Sequence, residues 1–227
     1  MDPEKYTPET TSRRREMIEW SITYSYNATD LTTPRVLLIG DSICNGYQGR
    51  VREYLDGRVN VTFWASSKCV TDPDYFKELC YMLGTYPYDM ICYNNALHSL
   101  TTDRGEWTAA FRSAVRCIRE TLPDTKLSLV SPTPLKDSSL TAITAELNGV
   151  IRETAENEKL PFIDLFSLMD PLDRGEYWSD TYHFRAAAVD MQAKLISEHV
   201  IAAIGRTDAA AAAEHAQTET GPDGGIR

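Results

Sequence analysis

Short runs of apolar residues recur along the chain from residue 34, and longer amphipathic stretches separate them. The runs have the length and composition of buried strands. They lie at residues 35–39, 59–63, 90–93, 127–130 and 162–165. The stretches between them repeat apolar residues every three or four positions, which predicts helices. These helices are predicted over 76–83, 108–121, 140–157 and from 185 to about 204.

Strands that alternate with helices in this way form a parallel sheet with helices on both faces. Ligands of such sheets bind outside the carboxyl ends of the strands. Functional side chains are therefore expected in the loops that directly follow the five predicted strands.

The segments that flank this alternation have a different character. Over residues 20–26, Trp20, Ile22, Tyr24 and Tyr26 alternate with serine and threonine, which predicts a half-buried edge strand. Residues 1–33 are accordingly predicted to form a flank packed on the domain at 34–205, with a lid or a dimer contact as alternatives. Residues 206–227 are Ala-rich, then polar and Gly-rich, and are predicted to be disordered.

Charge and cysteine content narrow the class of protein. The 227 residues carry a formal net charge of −10, which disfavours nucleic acid and anionic lipid as partners. The five cysteines include no C-x-x-C pair, so neither a disulfide framework nor a zinc site is expected. No metal or cofactor is predicted. The chain shows no signal-like h-region and no apolar run of about 18 residues, which favours a cytoplasmic location.

The first motif with chemical meaning is Gly40-Asp41-Ser42, at the end of the first predicted strand. Glycine permits a tight turn there, and Ser42 would stand where the next helix begins, near free backbone N–H groups. A serine hydroxyl becomes a nucleophile once a base takes its proton. By itself the tripeptide also fits an ordinary turn or helix cap.

The second motif is Asp-Thr-Tyr-His at residues 180–183, before the last predicted helix. Histidine is the usual base near neutral pH. A carboxylate three residues earlier can fold back onto the imidazole and fix its tautomer. Ser42, Asp180 and His183 are therefore candidates for nucleophile, orienting acid and base, although this motif alone also fits a helix cap.

Together the two motifs resemble the SGNH (GDSL-type) hydrolases, which carry a G-D-S block near the N-terminus and a D-x-x-H block near the C-terminus. The match spans about residues 34–205. The resemblance implies an α/β fold, a flavodoxin-like three-layer α/β/α sandwich with a five-stranded parallel sheet. It also implies a serine esterase or deacylase with Ser42, Asp180 and His183 as its catalytic triad.

The other two family blocks are incomplete here. The third block, G-x-N-D, supplies an Asn donor to the oxyanion; residues 94–98 are closer to a branch with N-x-G-L-H, in which His takes that place. His98 would then donate, with Asn94 supporting it or donating itself, and Asn95 remains open. The loop after the second predicted strand lacks the family glycine. A backbone N–H of Lys68 or Cys69 could still donate to the oxyanion, in addition to the backbone N–H of Ser42.

The substrate is predicted less sharply than the chemistry. Trp64, Trp178 and Tyr182 lie near the motifs and are candidates to stack on a sugar or acyl group, with core packing as the alternative. The resemblance implies hydrolysis of a small-molecule O-acyl ester, with an acetyl ester on a carbohydrate favoured. Lipid or short-chain acyl esters, thioesters and acyl transfer are alternatives, and a catalytically degenerate binding module is the alternative of another class.

Overall fold

The computed structural model describes the backbone of residues 2–218 and the side chains of residues 2–205. In this part of the chain, six strands form one sheet in the order β1-β3-β2-β4-β5-β6. The strands are β1 (Ser21–Ser25), β2 (Arg35–Gly40), β3 (Asn60–Ser66), β4 (Met90–Tyr93), β5 (Lys126–Val130) and β6 (Phe162–Ile163). The helices are α1 (Ser42–Leu55), α2 (Tyr75–Leu83), α3 (Arg104–Thr121), α4 (Ser138–Glu158), α5 (Leu165–Met169), α6 (Arg174–Tyr177) and α7 (Ala186–Thr218).

Side chains of β2 point alternately to two separate hydrophobic clusters. Leu37 and Ile39 belong to the cluster that includes α2, α3 and α4 residues, whereas Val36 and Leu38 belong to the cluster that includes α1 and α7 residues. Because helices cover both faces of the sheet, every residue of β2 is buried. This explains why the strand reads as a continuous apolar run.

The predicted three-layer α/β fold is confirmed, but the sheet has six strands, not five. β2 to β6 pair in parallel, and the additional strand, β1, pairs antiparallel with β3. β1 coincides with the edge strand predicted at residues 20–26. The flank therefore extends the sheet by one strand, because its backbone satisfies the open edge of β3.

Acidic caps account for helices that begin earlier than the apolar pattern alone predicts. Asp103 accepts a hydrogen bond from the backbone N–H of Glu106, and α3 begins at Arg104. Asp137 accepts from the N–H groups of Ser139 and Leu140, and α4 begins at Ser138. A carboxylate satisfies N–H groups that have no partner inside the helix, so the first turn needs no apolar residue to form.

The last helix continues into the region predicted to be disordered. The backbone of α7 is described as far as Thr218, while residues 219–227 of the predicted tail lie outside the described residues. Among the described residues, no helix is both long enough and apolar enough to cross a membrane.

Candidate active site

Ser42 stands at the turn from β2 into α1, at the carboxyl edge of the sheet. The Asp41 side chain accepts a hydrogen bond from the backbone N–H of Ile43 (2.9 Å) and caps α1. A β-carbon at position 40 would lie 2.6 Å from the Cβ of Cys44, so Gly40 is what lets the helix start this close to β2. Ser42 is thereby held at a helix N-terminus, where backbone N–H groups lack intrahelical acceptors.

Cys44 is a second nucleophilic side chain close to this turn. It is only 2% exposed, and burial raises the pKa of its thiol. A thiol becomes a nucleophile as its thiolate, which burial disfavours. Ser42 is therefore the group at this turn that is placed to react.

His183 reaches Ser42 from the loop between α6 and α7. Its Nε2 lies 2.9 Å from the Oγ of Ser42. Its Nδ1 lies 2.9 Å from Oδ2 and 3.1 Å from Oδ1 of Asp180. The structure thus brings the three predicted side chains into one continuous hydrogen-bonded chain.

Contacts on both sides of the motif hold this loop in shape. The backbone N–H of Ser179 donates to the carbonyl of His183 at 2.9 Å. Trp178 and Phe184 form an isolated β-bridge, and their ring centroids lie 4.5 Å apart. The imidazole therefore projects from a closed turn that is anchored in the hydrophobic core below it.

Asp180 is held in its ionised form. Desolvation by itself would raise its pKa, but hydrogen bonds from the backbone N–H groups of His183 and Tyr182, and from the imidazole, lower the pKa to about 2. At neutral pH the ionised carboxylate accepts a hydrogen bond from the Nδ1–H of His183. Nε2 is then free to accept the proton of Ser42.

The loop after β3 does not offer the predicted oxyanion donors. The backbone N–H of Lys68 donates to the Oγ of Ser66 at 3.1 Å, and that of Cys69 donates to Asp72 at 2.8 Å. The prediction that Lys68 or Cys69 serves the oxyanion was therefore wrong. The sequence did not predict this, because the folded shape of the loop brings the acceptors Ser66 and Asp72 close to the two N–H groups.

The asparagines after β4 are also engaged within the protein. The Asn94 amide donates to the carbonyl of Val130 at 2.8 Å. Asn95 donates to the carbonyl of Lys68 at 2.8 Å and accepts from the N–H of Val70 at 3.0 Å. Neither lines the cavity at Ser42, so Asn94 and Asn95 are corrected to residues that join neighbouring loops.

His98 is the side-chain donor candidate that lies at the cavity of Ser42. It lines the same cavity as Ser42 and His183. Its Nδ1 lies 2.5 Å from a carboxylate oxygen of Glu16, while its Nε2 is buried and has no hydrogen-bond partner in the protein. A buried ring nitrogen without a partner is unusual and points to a ligand atom that it would meet.

Two of the three predicted substrate-binding aromatics are core residues. Trp64 is 2% exposed, and its Nε1 donates to the Oγ of Ser21. Trp178 is fully buried beside Phe184. For these two tryptophans the structure shows core packing, the alternative to substrate binding, because a large aromatic ring stabilises the fold most when it is buried. Tyr182, by contrast, is 39% exposed and lines the cavity at Ser42.

The cavity at Ser42 has a volume of about 490 Å³. Besides the residues named so far, it is lined by Leu97, Leu100 and Thr101 after β4 and by three residues of the N-terminal flank, Arg14, Glu16 and Trp20. The sequence interpretation missed these three, because no motif surrounds them. The only signal was the alternation that begins at Trp20, which placed the flank against the sheet but not against the site.

To bind a metal ion, the part of the chain with described side chains would need several ligating groups close together. No group of three or more His, Cys, Asp or Glu side chains is arranged there to hold a metal ion.

No protein-family model and no curated protein matches the chain. Solved structures do match it. A GDSL-like lipase from Bacteroides thetaiotaomicron is 15% identical, with a TM-score of 0.63 over 74% of this chain and 88% of that one. An acetylxylan esterase from Geobacillus stearothermophilus is 16% identical, with a TM-score of 0.59 over 77% and 96% of the two chains.

Another acetyl xylan esterase, AlAXEase, is 15% identical, with a TM-score of 0.63 over 74% of this chain and 100% of that one. The chain therefore has the fold of GDSL-like lipases and acetylxylan esterases. Identities this low establish the fold and leave the reaction to be argued from the site.

Proposed function

We propose that the protein is a serine ester hydrolase of the SGNH type, which hydrolyses a small O-acyl ester through an acyl-enzyme. The observation that carries the proposal is the hydrogen-bonded chain from Ser42 through His183 to Asp180, at 2.9 Å for each step. The three residues come from two loops that are far apart in the sequence. They meet at the carboxyl edge of the sheet, where ligands of open α/β sheets bind.

In the first half of the reaction, His183 takes the proton of Ser42 as the Oγ attacks the ester carbonyl. Asp180 remains ionised and stabilises the imidazolium that forms. The imidazolium then gives the proton to the departing alcohol. In the second half, His183 activates water, which releases the acid and frees Ser42.

The tetrahedral intermediate needs donors for its oxyanion. The backbone N–H of Ser42 lies at the start of α1, among the first helical N–H groups. His98 lines the same cavity, and its buried Nε2 has no partner in the protein. This hole uses fewer loop donors than the family pattern, because the loop after β3 has satisfied its own N–H groups.

We favour an acetyl ester on a carbohydrate as the substrate. Two of the similar structures are acetylxylan esterases by name. The cavity at Ser42 presents two aromatic rings, Trp20 and Tyr182, in place of the two buried tryptophans. Tyr182 is exposed and Trp20 is half-buried, and aromatic rings that line a cavity suit the apolar face of a sugar.

A lipid or longer acyl ester is the second candidate, and a thioester belongs to the same chemistry. One observation favours the lipid. Met17 is 99% exposed and Ile18 is 74% exposed, and both lie in the chain between the cavity residues Glu16 and Trp20. Exposed apolar residues beside a cavity offer contact to an acyl chain.

The substitution Ser42→Ala tests the proposal. We expect loss of p-nitrophenyl acetate hydrolysis by about 10⁴-fold or more, since the nucleophile is removed, while the melting temperature stays within a few degrees of the wild type. A fluorophosphonate probe should label the wild type at residue 42 and leave the variant unlabelled.

The matched control is Ser113→Ala, which alters a serine in α3 that does not line the cavity. It should hydrolyse the ester and react with the probe as the wild type does. An unreactive wild type would favour the binding-module alternative, whereas a Ser42→Ala variant that keeps its activity would show that Ser42 is not the nucleophile.

A further inference from the structure

The N-terminal segment 13–20 is fastened over the loop after β3. The Arg13 guanidinium is buried and contacts Asp72 at 2.7 Å and the carbonyl of Ser67 at 2.7 Å. The N–H of Trp20 donates to the Oγ of Ser67 at 2.8 Å. A buried ion pair and several hydrogen bonds therefore hold both ends of the segment on the loop.

Between these two anchors the segment presents Glu16 to His98. A carboxylate oxygen of Glu16 lies 2.5 Å from Nδ1 of the ring. The backbone N–H of Glu16 donates to Glu19 at 2.7 Å, which fixes the turn that carries it. Trp20 packs edge-on against the imidazole, with ring centroids 5.9 Å apart, and Arg13 Nε donates to the carbonyl of His98 at 3.2 Å.

These contacts leave Nε2 as the ring nitrogen of His98 without a partner. Nε2 is buried without a partner in the protein, and the ring lines the cavity that holds Ser42 and His183. An ionised carboxylate at Nδ1 can only accept a hydrogen bond, so that nitrogen keeps its proton and donates it to Glu16. Nε2 can then donate to an oxyanion only if the ring carries a second proton and is cationic.

We propose that Glu16 is a positioning residue, whose carboxylate holds His98 as a cationic hydrogen-bond donor to the oxyanion of the reaction at Ser42. This inference rests on the proposed esterase function. The site then contains two histidine–carboxylate pairs. Asp180 keeps His183 ready to accept a proton, and Glu16 keeps His98 ready to donate a hydrogen bond.

Among the charged groups around His98, Glu16 is the one that can balance a positive charge on the ring. Arg14 and His183 line the same cavity, and Arg13 contacts the backbone carbonyl of His98. None of these balances a positive charge on the ring, and the ring contacts no other carboxylate within the part of the chain with described side chains. A charge-assisted hydrogen bond is about twice as strong as a neutral one, so the cation is the better oxyanion donor.

The arrangement also explains what replaces the loop donors. The segment that fastens the loop after β3 through Arg13 and Trp20 is the same segment that supplies Glu16. The N–H groups of Lys68 and Cys69 are not free for the oxyanion, and His98, held by Glu16, is the donor that takes their place.

The test is a double-mutant cycle with Glu16→Gln and His98→Gln, because a glutamine amide at position 98 offers an N–H without any charge partner. Glu16→Gln should lower kcat for p-nitrophenyl acetate by about 10-fold and leave KM unchanged, as expected when an interaction of the transition state is weakened. In the His98→Gln background, the same Glu16→Gln change should alter kcat less than about 2-fold.

A second readout does not depend on turnover. In ¹⁵N spectra of histidine-labelled protein, with His98 assigned by its loss in His98→Gln, we expect protons on both ring nitrogens in the wild type. Glu16→Gln at the same pH should show one. Glu9→Gln is the matched control, since Glu9 is an exposed carboxylate of the same flank, and it should change neither readout.

Three results would overturn the proposal. The first is a wild type that hydrolyses the ester and a Glu16→Gln variant that does so at the same rate. The second is an equal loss on Glu16→Gln in both backgrounds, which would reveal a structural role only. The third is a His98 spectrum that ignores Glu16. A wild type that neither hydrolyses esters nor reacts with the fluorophosphonate probe is a different outcome, which would overturn the esterase function and this inference together.

Discussion

Single side chains in this site act through their hydrogen-bond partners. Asp180 is more than half exposed, yet its pKa lies near 2 because backbone N–H groups of its own turn point at the carboxylate. Exposure to water alone would leave the pKa near its ordinary value, so the lowered pKa comes from these hydrogen bonds. The short spacing between Asp180 and His183 serves both purposes, since the same turn supplies the N–H donors and the imidazole.

Asp180→Asn should reduce kcat by about 10³- to 10⁴-fold with little change in KM. An asparagine keeps the size of the side chain but removes the charge that stabilises the imidazolium of His183, and its amide can favour the wrong tautomer. Steady-state kinetics with p-nitrophenyl acetate measure the effect.

Asp124→Asn provides the control for this substitution, because Asp124 is exposed just before β5 and does not line the cavity at Ser42. It should retain full activity. An Asp180→Asn variant with kcat within 3-fold or so of the wild type would mean that the carboxylate does not support the base.

At the scale of elements, the close approach of α1 to β2 positions Ser42. The approach depends on the absence of a side chain at Gly40, since Cys44 in the first turn of α1 occupies the space. β2 is buried along its whole length, so neither element has room to shift. The position of Ser42 is thus a consequence of packing between a strand and its following helix.

Gly40→Ala should lower the free energy of unfolding by about 1–3 kcal/mol and reduce activity as well, because the methyl group would push the first turn of α1 and move Ser42. Denaturant unfolding together with ester hydrolysis measures both effects.

Gly46→Ala is the comparison within the same helix. A β-carbon there meets no atom within 4 Å, and alanine is the better helix former. We expect unchanged activity and a gain of about 0.5–1 kcal/mol in the free energy of unfolding. If Gly40→Ala behaved like Gly46→Ala, close packing at position 40 would not be what holds Ser42.

At the scale of the molecule, the site is assembled from parts of the chain that lie far apart. The sheet brings the end of β2 and the loop before α7 to one edge, and the N-terminal flank closes the cavity from outside the predicted domain at 34–205. The fold thus brings Ser42, Asp180 and His183 together, while the flank and the loops set the shape of the cavity beside them.

A series of p-nitrophenyl esters tests the shape of that cavity. A volume of about 490 Å³ must hold both the acyl group and the alcohol, so kcat/KM should be highest for acetate and butyrate and at least about 10-fold lower for laurate. Rates measured below the solubility limit of each ester give the comparison.

Met17→Ser tests the lipid alternative in the same series. If acetyl esters are the substrates, this exposed residue should not matter for any chain length. A preference for laurate that Met17→Ser abolishes would instead support the lipid ester as substrate.

Sequence alone predicted the alternation of strands and helices, and it singled out three residues that the structure joins by hydrogen bonds at the carboxyl edge of the sheet. These follow from local rules: side-chain periodicity reports which faces are buried, and a nucleophile needs a base and an orienting acid whatever the fold. Ser42, Asp180 and His183 were identified because each sits in a short motif that carries its own chemical reason.

Only the tertiary structure decided which donors remain free to face the substrate. Whether an N–H of Cys69 or an amide of Asn94 is available depends on acceptors such as Asp72 and Val130, which packing brings to it. The same holds for Glu16, which reaches His98 because the flank folds across a loop remote from it in the chain. Hydrogen-bond saturation is a property of the packed chain, and no local pattern of residues encodes it.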